Sequence, residues 1–448
     1  MYSGEHYKML QFVILALSCI FVNADHHSKS SKVILIHIDG CRWDYVNDSS
    51  LKGFAKLAKF GVKAEYVKPV FPSNTYPNSY SIATGLYPES HGFVQNIMYD
   101  AEREEFFLML YNPNSTNSHW WESAEPIWVT AEKRGIKTAL YWWPGSDVEI
   151  HGILPTFHLP NRYTTGGENV TKDIQRKLEN VLNMFHRDEI RLAMVYYGAV
   201  DNNGHNKGPD APETRNALKE MDKILDDLQG QISQRGLANQ VSIVIVSDHG
   251  MTNTGPGYVD QISLEPFADD IKYSLYKGSS SMILPEEGKL DKLYNDLKQA
   301  NIKGLQIFKK EEIPEKYHFK HNKYVLPLFL LADKGYFIKA LSDFNKTRTT
   351  SKPIIYGYHG YDPNVVEDMR TIFFARGPDL KKNYLSPPIE NVDQYNLVCK
   401  LLQMAPLKNN GSWDRVKDML DELPNSGSTI KPLFLLGIIW VVKFIFFI

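Results

Sequence analysis

The sequence predicts an α/β fold with a largely parallel central sheet that is flanked by helices on both faces. One observation behind this prediction is a series of short, almost continuous apolar runs, which are typical of strands buried on both faces. The other is that amphipathic segments with helical spacing lie between some of these runs. Alternation of strands and helices favours parallel pairing, because each helix carries the chain back across the sheet.

The buried strands are predicted at residues 32–38, 191–197, 241–246 and 371–375. Apolar side chains recur at helical spacing within residues 170–185 and again within residues 218–232, and Gly236 follows the second segment as a stop signal. Residues 273–344 contain shorter and more charged segments. We interpret this stretch as a small subdomain inserted into the main domain.

The composition excludes two classes of protein. The chain has 448 residues, with 50 lysines and arginines against 52 aspartates and glutamates. This near-balance argues against a nucleic-acid-binding protein, which usually carries a basic excess. Only three cysteines occur, at Cys19, Cys41 and Cys399, so the fold is not built on a disulfide framework. A single bridge between Cys41 and Cys399 stays an open alternative.

The N-terminus indicates entry into the secretory pathway. Lys8 precedes an apolar run at residues 10–22, and the small-residue pattern Val22-Asn23-Ala24 ends it. A charged start, a short apolar run and a small-residue exit are typical of a signal peptide, which we place at residues 1–24. The main domain is then expected at residues 25–424.

The C-terminal residues 425–448 predict membrane attachment. Residues 432–448 are apolar except for Lys443, and small residues stand just upstream. A single-pass anchor and a GPI-attachment signal both stay open, and either would hold the protein on the extracellular face of the plasma membrane. Acceptor sites for N-glycosylation fit that location; they are Asn47, Asn114, Asn169, Asn345 and Asn410.

Three carboxylates follow the predicted strands. Asp39 comes directly after the first strand, Asp201 lies four residues past the second, and Asp248 follows the third after one serine. Ligands of open parallel sheets bind beyond the carboxyl ends of the strands, so these acids are expected in one crevice. A single such acid is more often a turn or helix-capping residue, but three at one edge would repel each other unless cations neutralised them.

Histidines accompany these acids, at His205, His249 and His359. Aspartate and histidine without cysteine suit Zn²⁺ or a similar divalent ion, and sites this dense often hold two metals. The candidate nucleophile is Thr75, which precedes a predicted helix at residues 78–84 that is closed by Gly85. Its hydroxyl would lie at a helix N-terminus, where phosphate is favoured. A plain helix-capping role for Thr75 is the alternative.

Seven stretches of the chain, in order, resemble the ectonucleotide pyrophosphatase/phosphodiesterase family of the alkaline phosphatase superfamily. The resemblance runs across roughly Lys32 to Leu420, nearly the whole mature chain, and together the stretches are highly specific. They are IDGCRWDYV (38–46), FPSNTYPNSYSIATGLYPESHG (71–92), NIMYD (96–100), WPGSDVEI (143–150), DNNGHNKGP (201–209), SDHGM (247–251) and GYHGYD (357–362). The resemblance implies an alkaline-phosphatase-like fold and a phosphodiesterase catalytic domain at residues 25–424.

The resemblance also implies a role for each matching residue. One Zn²⁺ would be held by Asp201, His205 and His359. The other Zn²⁺ would be held by Asp39, Asp248 and His249, and would also bind the hydroxyl of Thr75, the attacking group that forms a covalent intermediate. Substrate contacts are implied for Asn96 with a phosphate oxygen, for Tyr76 stacked on a nucleobase, and for Asp147 and Trp143 in the wall around the base.

Some positions depart from the family pattern. Cys41 replaces an aromatic residue, and Asn74 stands where several nucleotide-cleaving members carry lysine. No obvious tyrosine occupies the second base-stacking position, although Phe157 or Tyr163 could serve there. These differences leave the base preference open more than the reaction.

The function implied is that of an extracellular, zinc-dependent phosphodiesterase. It would hydrolyse nucleotide pyrophosphates and phosphodiesters such as ATP, ADP, NAD and dinucleoside polyphosphates to nucleoside 5′-monophosphates. One alternative is a choline-phospholipid or glycerophosphodiester phosphodiesterase that uses the same metal site. The other is a catalytically silent surface binding protein, against which the intact set of six ligand positions and Thr75 argues.

Overall fold

The computed structural model describes residues 31–109, 113–160, 168–339, 341 and 354–421. The predicted signal peptide, the predicted C-terminal attachment segment, Tyr163 and Asn345 lie outside these ranges. In the part of the chain that is described, no helix combines the length and the apolar character needed to cross a membrane. The acceptor asparagines that are described, Asn47, Asn114, Asn169 and Asn410, are all exposed.

The strands of the described residues are β1 (Lys32–Ile38), β2 (Val62–Ala64), β3 (Val67–Lys68), β4 (Ile97–Asp100), β5 (Glu105–Leu108), β6 (Thr138–Tyr141), β7 (Phe157–Leu159), β8 (Leu192–Tyr197), β9 (Val241–Val246), β10 (Thr252–Asn253), β11 (Asp260–Ile262), β12 (Ile271–Leu275), β13 (Ser280–Pro285), β14 (Leu305–Lys309), β15 (Leu328–Ala332), β16 (Tyr336–Ile338), β17 (Gly357–Tyr358), β18 (Phe373–Arg376), β19 (Tyr384–Ser386) and β20 (Ile389–Glu390).

The α-helices of the same residues are α1 (Lys52–Phe60), α2 (Thr75–Thr84), α3 (Pro88–His91), α4 (Ile127–Lys133), α5 (Glu168–His186), α6 (Ala199–Lys207), α7 (Pro212–Gln234), α8 (Leu290–Gln299), α9 (Asp393–Leu401) and α10 (Trp413–Val416). Short 3₁₀ helices lie at Tyr45–Asn47, Pro113–Thr116, Ser118–Trp120, Glu265–Asp270, Lys310–Glu312, Glu315–Tyr317, Glu367–Met369 and Lys417–Met419. The two amphipathic segments predicted from helical spacing correspond to α5 and α7.

The central sheet has eight strands in the order β19-β2-β18-β9-β1-β8-β6-β7. The strands from β9 to β7 in this order are all parallel, which confirms the largely parallel sheet. β18 instead runs antiparallel to both of its neighbours. An apolar run indicates that a strand is buried but not which way it runs, so the sequence could not reveal this reversal.

Helices cover both faces of this sheet, as predicted. Side chains of β1 alternate between two hydrophobic clusters, with Val33 and Leu35 on one face and Ile34 and Ile36 on the other. On the first face the cluster includes residues of α2, α4 and α9, and on the second it includes residues of α1, α5 and α7. The site described below therefore stands at the edge of a sheet that is fixed from both sides.

The two cysteines of the described residues are buried free thiols. Cys41 belongs to the cluster on the face of α1, α5 and α7, and Cys399 belongs to the cluster on the opposite face. The sheet therefore separates the two thiols, and the bridge that the sequence left open is absent from this structure.

The segment interpreted as an insertion forms a second sheet. Its four strands are antiparallel, in the order β12-β13-β15-β14. α8 packs on this sheet through Leu293 and Leu297, in a third hydrophobic cluster with Ile283 and Leu330. The turn between β12 and β13 faces the carboxyl edge of the central sheet, where it contacts the site.

Candidate active site

The three predicted acids meet at the carboxyl edge of the central sheet. Asp39 follows β1, Asp248 follows β9, and Asp201 lies in the first turn of α6, which comes after β8. All three side chains are fully buried. Gly40 permits this approach, because it has a φ of 69° and a Cβ there would lie 2.8 Å from the Cα of Asp201.

The three predicted histidines are oriented by backbone carbonyls. The Nδ1 atom of His205 lies 2.7 Å from Gly357 O, that of His249 lies 2.9 Å from Gly250 O, and that of His359 lies 3.0 Å from Ser73 O. A carbonyl oxygen can only accept a hydrogen bond, so each Nδ1 carries the proton. In the neutral imidazole each Nε2 then keeps its lone pair, which is the state that binds a metal ion.

One group of donors consists of Asp201, His205 and His359, as predicted. The two histidine Nε2 atoms are 3.2 Å apart. Asp201 Oδ1 lies 3.4 Å from His205 Nε2 and 3.7 Å from His359 Nε2. Two unprotonated imidazole nitrogens and a carboxylate oxygen at these distances can share one cation.

The second group surrounds His249. Its Nε2 atom lies 3.3 Å from Asp39 Oδ1, 3.3 Å from Asp248 Oδ2 and 3.2 Å from Thr75 Oγ1. The two groups are adjacent, because the rings of His249 and His359 stack with their centroids 3.5 Å apart. The structure thus brings all six predicted ligand residues and Thr75 to one place.

The polar atoms of the second group fit a divalent cation. Asp39 Oδ1 and Asp248 Oδ2 are buried and accept no hydrogen bond from the described residues. The other oxygen of each carboxylate is hydrogen-bonded: Asp39 Oδ2 accepts from the Tyr196 hydroxyl, and Asp248 Oδ1 accepts from the Gly40 N–H. The oxygens without a donor are therefore the two that face His249, where an ion would satisfy them.

The electrostatics of the site also favour cations. Burial raises the pKa of Asp39 well above its usual value, and repulsion from Asp248 and Asp201 adds to this rise. Burial also opposes ionisation of Asp248, but the imidazoles of His249 and His37 outweigh it and hold that pKa below its usual value. Burial lowers the pKa of His359, with help from His249 and His205, so this ring stays neutral.

Thr75 occupies the first position of α2, and not the capping position before it. The helix begins three residues earlier than predicted, because Pro77 is tolerated in its first turn. Gly85 ends it with a φ of 69° and donates its N–H to Ser81 O, as predicted. The hydroxyl of Thr75 is directed to His249 and makes no capping bond, which disfavours a purely structural role.

Asn96 is held with its amide nitrogen facing the site. Its Oδ1 atom accepts the Tyr76 N–H at 2.9 Å, so Nδ2 must point the other way. Behind it, Gln95 Oε1 accepts from Asn74 Nδ2 and from the Asn96 N–H, and Gln95 Nε2 donates to Ser280 Oγ. This buried glutamine joins the turn before the nucleophile to the inserted sheet.

The residues predicted around a base differ in how far they are exposed to solvent. Tyr76 is only 6% exposed, because its ring packs against Phe93, Phe107 and Trp121. Asp147 is exposed. Burial raises the pKa of Tyr76, and the negative charge of Asp147 adds to this rise. Phe157 is 41% exposed on the edge strand β7.

Trp143 does not reach the surface. It is fully buried and its ring lies 5.2 Å from that of His37. A direct contact between Trp143 and a base is therefore not available in this structure. Trp143 and Asp147 belong to the same motif of the chain, but the sequence could not show that the side chain of Trp143 turns into the core.

Three further residues of the site were missed. His37 Nε2 lies 3.2 Å from Asp248 Oδ1, and the Tyr196 hydroxyl donates to Asp39. A histidine within the apolar run of β1 was a usable signal, because a polar side chain in a doubly buried strand needs a partner. The third residue, Tyr276, comes from the inserted sheet and had no local signal.

A cavity of about 720 Å³ lies away from this site. It opens at the amino ends of the parallel strands, where Gln240, Val241 and Arg376 line it. None of the predicted ligand residues lines this cavity, so it is separate from the place where the predicted ligands meet.

Comparison with known proteins agrees with this geometry. A family model described as type I phosphodiesterase / nucleotide pyrophosphatase matches residues 33–362. Human ectonucleotide pyrophosphatase/phosphodiesterase family member 5 is 34% identical over 431 residues, which cover 95% of this chain and 86% of that protein. Human bis(5′-adenosyl)-triphosphatase is 33% identical over 418 residues, which cover 92% of this chain and 87% of that protein.

Solved structures give the same result. The murine family member 5, solved as an inactive threonine-to-alanine variant in complex with AMP, is 34% identical and matches with a TM-score of 0.77. The match covers 88% of this chain and all of that one. With this fold, and with Asp and His groups able to hold metal ions, the chain belongs to the nucleotide pyrophosphatase/phosphodiesterase family of enzymes.

Proposed function

We propose that this protein is an extracellular, zinc-dependent phosphodiesterase that cleaves nucleotide pyrophosphates and phosphodiesters to nucleoside 5′-monophosphates. Candidate substrates are ATP, ADP, NAD and dinucleoside polyphosphates. The observation that carries the proposal is the clustering of six Asp and His side chains at one edge of the sheet, with His249 Nε2 of this cluster 3.2 Å from the hydroxyl of Thr75. Relatives named as nucleotide pyrophosphatases and as a bis(5′-adenosyl)-triphosphatase support the substrate class.

Thr75 acts as the nucleophile in this proposal. Its Oγ1 atom forms a bond to phosphorus while the bond to the leaving group breaks, which gives a phosphothreonine diester. Water then forms the new bond to phosphorus, the bond to Oγ1 breaks, and the nucleoside monophosphate leaves. The murine relative made inactive by a threonine-to-alanine change supports a threonine in this role.

The other residues bind and orient. Asp201, His205 and His359 would hold one Zn²⁺, and Asp39, Asp248 and His249 the other. Two Zn²⁺ ions supply Lewis acidity, which lowers the pKa of a bound hydroxyl or water and neutralises the phosphoryl charge. Asn96 donates from Nδ2 to a phosphoryl oxygen, and its amide needs no reorientation because the Tyr76 N–H already holds Oδ1.

We also propose that Tyr76, Asp147 and Phe157 form the rim that meets the base. Tyr76 keeps 6% of its surface exposed, and Asp147 and Phe157 are exposed. The predicted signal peptide and C-terminal segment support a position of this rim outside the cell, on a membrane-attached glycoprotein. The exposed acceptor asparagines are consistent with that location.

The proposal is tested by a product assay on the purified full-length protein. ADP, NAD, a diadenosine polyphosphate and a nitrophenyl nucleotide ester are expected to yield nucleoside 5′-monophosphates. Chelation should abolish turnover and added Zn²⁺ should restore it, because six ligand residues converge on the nucleophile. Full activity in protein that elemental analysis finds free of divalent metal would contradict the proposal.

Glycerophosphocholine and a choline phospholipid serve as the contrasting substrates. Turnover of these two without turnover of any nucleotide would replace the nucleotide substrates by choline phosphodiesters while keeping the same metal chemistry. Binding of AMP without turnover of any phosphodiester would instead indicate a surface binding protein.

A further inference from the structure

A turn of the inserted sheet reaches the candidate active site. It joins β12 to β13 through residues 276–279, and Tyr276 is its first residue. Tyr276 has a φ of 73°, in the left-handed region that a bulky side chain rarely adopts. Such a conformation persists only where surrounding contacts hold it, and it is common at functional sites.

Several contacts hold this turn in place. The N–H of Gly278 donates to Ile338 O at 2.8 Å, and the N–H of Ile338 donates back to Gly278 O at 2.8 Å. The Ser281 hydroxyl is placed to donate to the backbone oxygen of Tyr276. Gly278 also lies against the ring of Tyr358, where a Cβ would come within 2.1 Å of a ring carbon. The position of the Tyr276 ring is therefore fixed relative to the His359 loop.

The hydroxyl of Tyr276 lies beside the amide of Asn96. Asn96 Nδ2 donates to the Tyr276 oxygen at 3.3 Å. Because the Tyr76 N–H holds the other end of this amide, Nδ2 cannot turn away. Any anion that reaches Asn96 Nδ2 therefore meets the phenol of Tyr276 as well.

This hydroxyl keeps its proton at neutral pH. Burial raises the pKa of Tyr276 to about 12, although hydrogen bonds with Tyr358 and Asn96 act in the opposite direction. The negative charges of Asp201 and Asp39 add to the rise in this pKa. One lone pair of the oxygen is occupied by Asn96, so the O–H bond points away from the amide and can donate.

We propose that Tyr276 is a second hydrogen-bond donor to the substrate phosphoryl group, beside Asn96, and that the inserted sheet supplies it. This inference rests on the proposed function. Paired donors that are fixed before the substrate arrives act most strongly where negative charge develops on the phosphoryl oxygens. The inserted sheet then has a direct part in the reaction and is not only a cover for the core.

The test is Tyr276→Phe in the full-length, metal-loaded protein, because this change removes the hydroxyl and keeps the ring against Tyr358. We expect kcat/KM to fall about ten- to a hundred-fold, equally for ADP and for a small nitrophenyl phosphodiester. Affinity for orthovanadate, which mimics the phosphoryl group, should weaken in parallel, while the melting temperature stays unchanged.

Tyr273→Phe is the matched control. Tyr273 lies on β12 and packs against Tyr99 and Phe106, away from the ligand groups, so its rates should remain those of the wild type. Unchanged kcat/KM and vanadate affinity in Tyr276→Phe, with an active wild type, would overturn the inference. A loss confined to ADP would also overturn it, because it would mean that Tyr276 reads the base.

Failure of the proposed function gives a different result. A wild type that turns over no phosphodiester would contradict that function, whereas the comparison of vanadate affinity between wild type and Tyr276→Phe would still test the phosphoryl contact. Equal vanadate affinities in that case would overturn the inference as well.

Discussion

The reaction centre and the rim around it are built in opposite ways. In the centre, Asp39, Asp201 and Asp248 are fully buried at the ends of central strands, and each predicted histidine ligand is hydrogen-bonded to a backbone carbonyl. In the rim, Asp147 and Phe157 are exposed to solvent. A centre fixed by the backbone should act alike on every substrate, whereas the rim is free to distinguish one substrate from another.

The largest effect is expected at the centre, from Thr75→Ala. This change removes the proposed attacking oxygen but leaves all six predicted ligand residues, so turnover should fall by about three orders of magnitude or more on every substrate. Thr75→Ser keeps an oxygen at the same reach and should retain measurable activity. The measurement is kcat per folded, metal-loaded molecule, with a melting curve for each variant. Near-normal turnover by the alanine variant would rule out a covalent threonine intermediate.

The next effect concerns the rim, through Tyr76→Leu. If a base stacks on this ring, kcat/KM for ADP should fall more than for a small nitrophenyl phosphodiester, by a factor that corresponds to about 1–3 kcal/mol. Tyr76 also packs against Phe107, so Phe107→Leu is the control for a loosened aromatic cluster. Equal losses on both substrates would mean that Tyr76 supports the reaction centre and does not contact the base.

A smaller effect, on stability, is expected at His91. This residue contacts α2, the helix that carries Thr75 and Tyr76. Burial lowers the pKa of His91 to about 3, while its Nε2 atom contacts Ser81 Oγ and Pro77 O. An unfolded histidine titrates near pH 6.5, so protonation favours the unfolded chain. Stability is therefore complete above about pH 6.5 and declines as the pH falls towards 3.

The loss between pH 6.5 and 5 should be about 1–2 kcal/mol, measured by denaturant unfolding at each pH. His91→Asn should flatten this slope, and the exposed His186→Asn should leave it as in the wild type. An unchanged slope in His91→Asn would mean that another group titrates.

The smallest effect is expected from Asp147→Asn. The carboxylate is exposed, so its influence on a bound base is screened by water and salt. We expect a change of only about two- to five-fold in the ratio of kcat/KM between ADP and the nitrophenyl ester. A change in kcat common to both substrates would assign Asp147 to the centre.

The central strands and the acids that follow them could be predicted from the sequence. β1, β8 and β9 were recognisable because each is a short apolar run, and their acids followed because parallel strands end at one edge. The direction of β18 was not recognisable, because the composition of a strand does not show which way it runs in the sheet. His359 lies outside the central sheet: it directly follows the short strand β17, which pairs with β10, so the rule that ligands follow the parallel strands of the central sheet does not reach it.

Contacts between segments that are distant in the chain could not be predicted from local sequence patterns. Tyr276 meets Asn96 only after the inserted sheet has docked, and nothing around Tyr276 in the chain indicates it. Trp143 sits in a motif of the family but is buried against His37, because side-chain direction is decided by packing and not by the motif.

The antiparallel course of β18 has a consequence for how the protein is made. It brings His359 to the same edge as Asp39, although the two residues come from opposite ends of the described chain. A nascent chain that has completed β1, β8 and β9 already holds three carboxylates near one another but lacks the last ligand. High-affinity metal uptake by the group of Asp201, His205 and His359 must therefore follow the closing of the sheet, and metal bound there then stabilises only chains that have completed it.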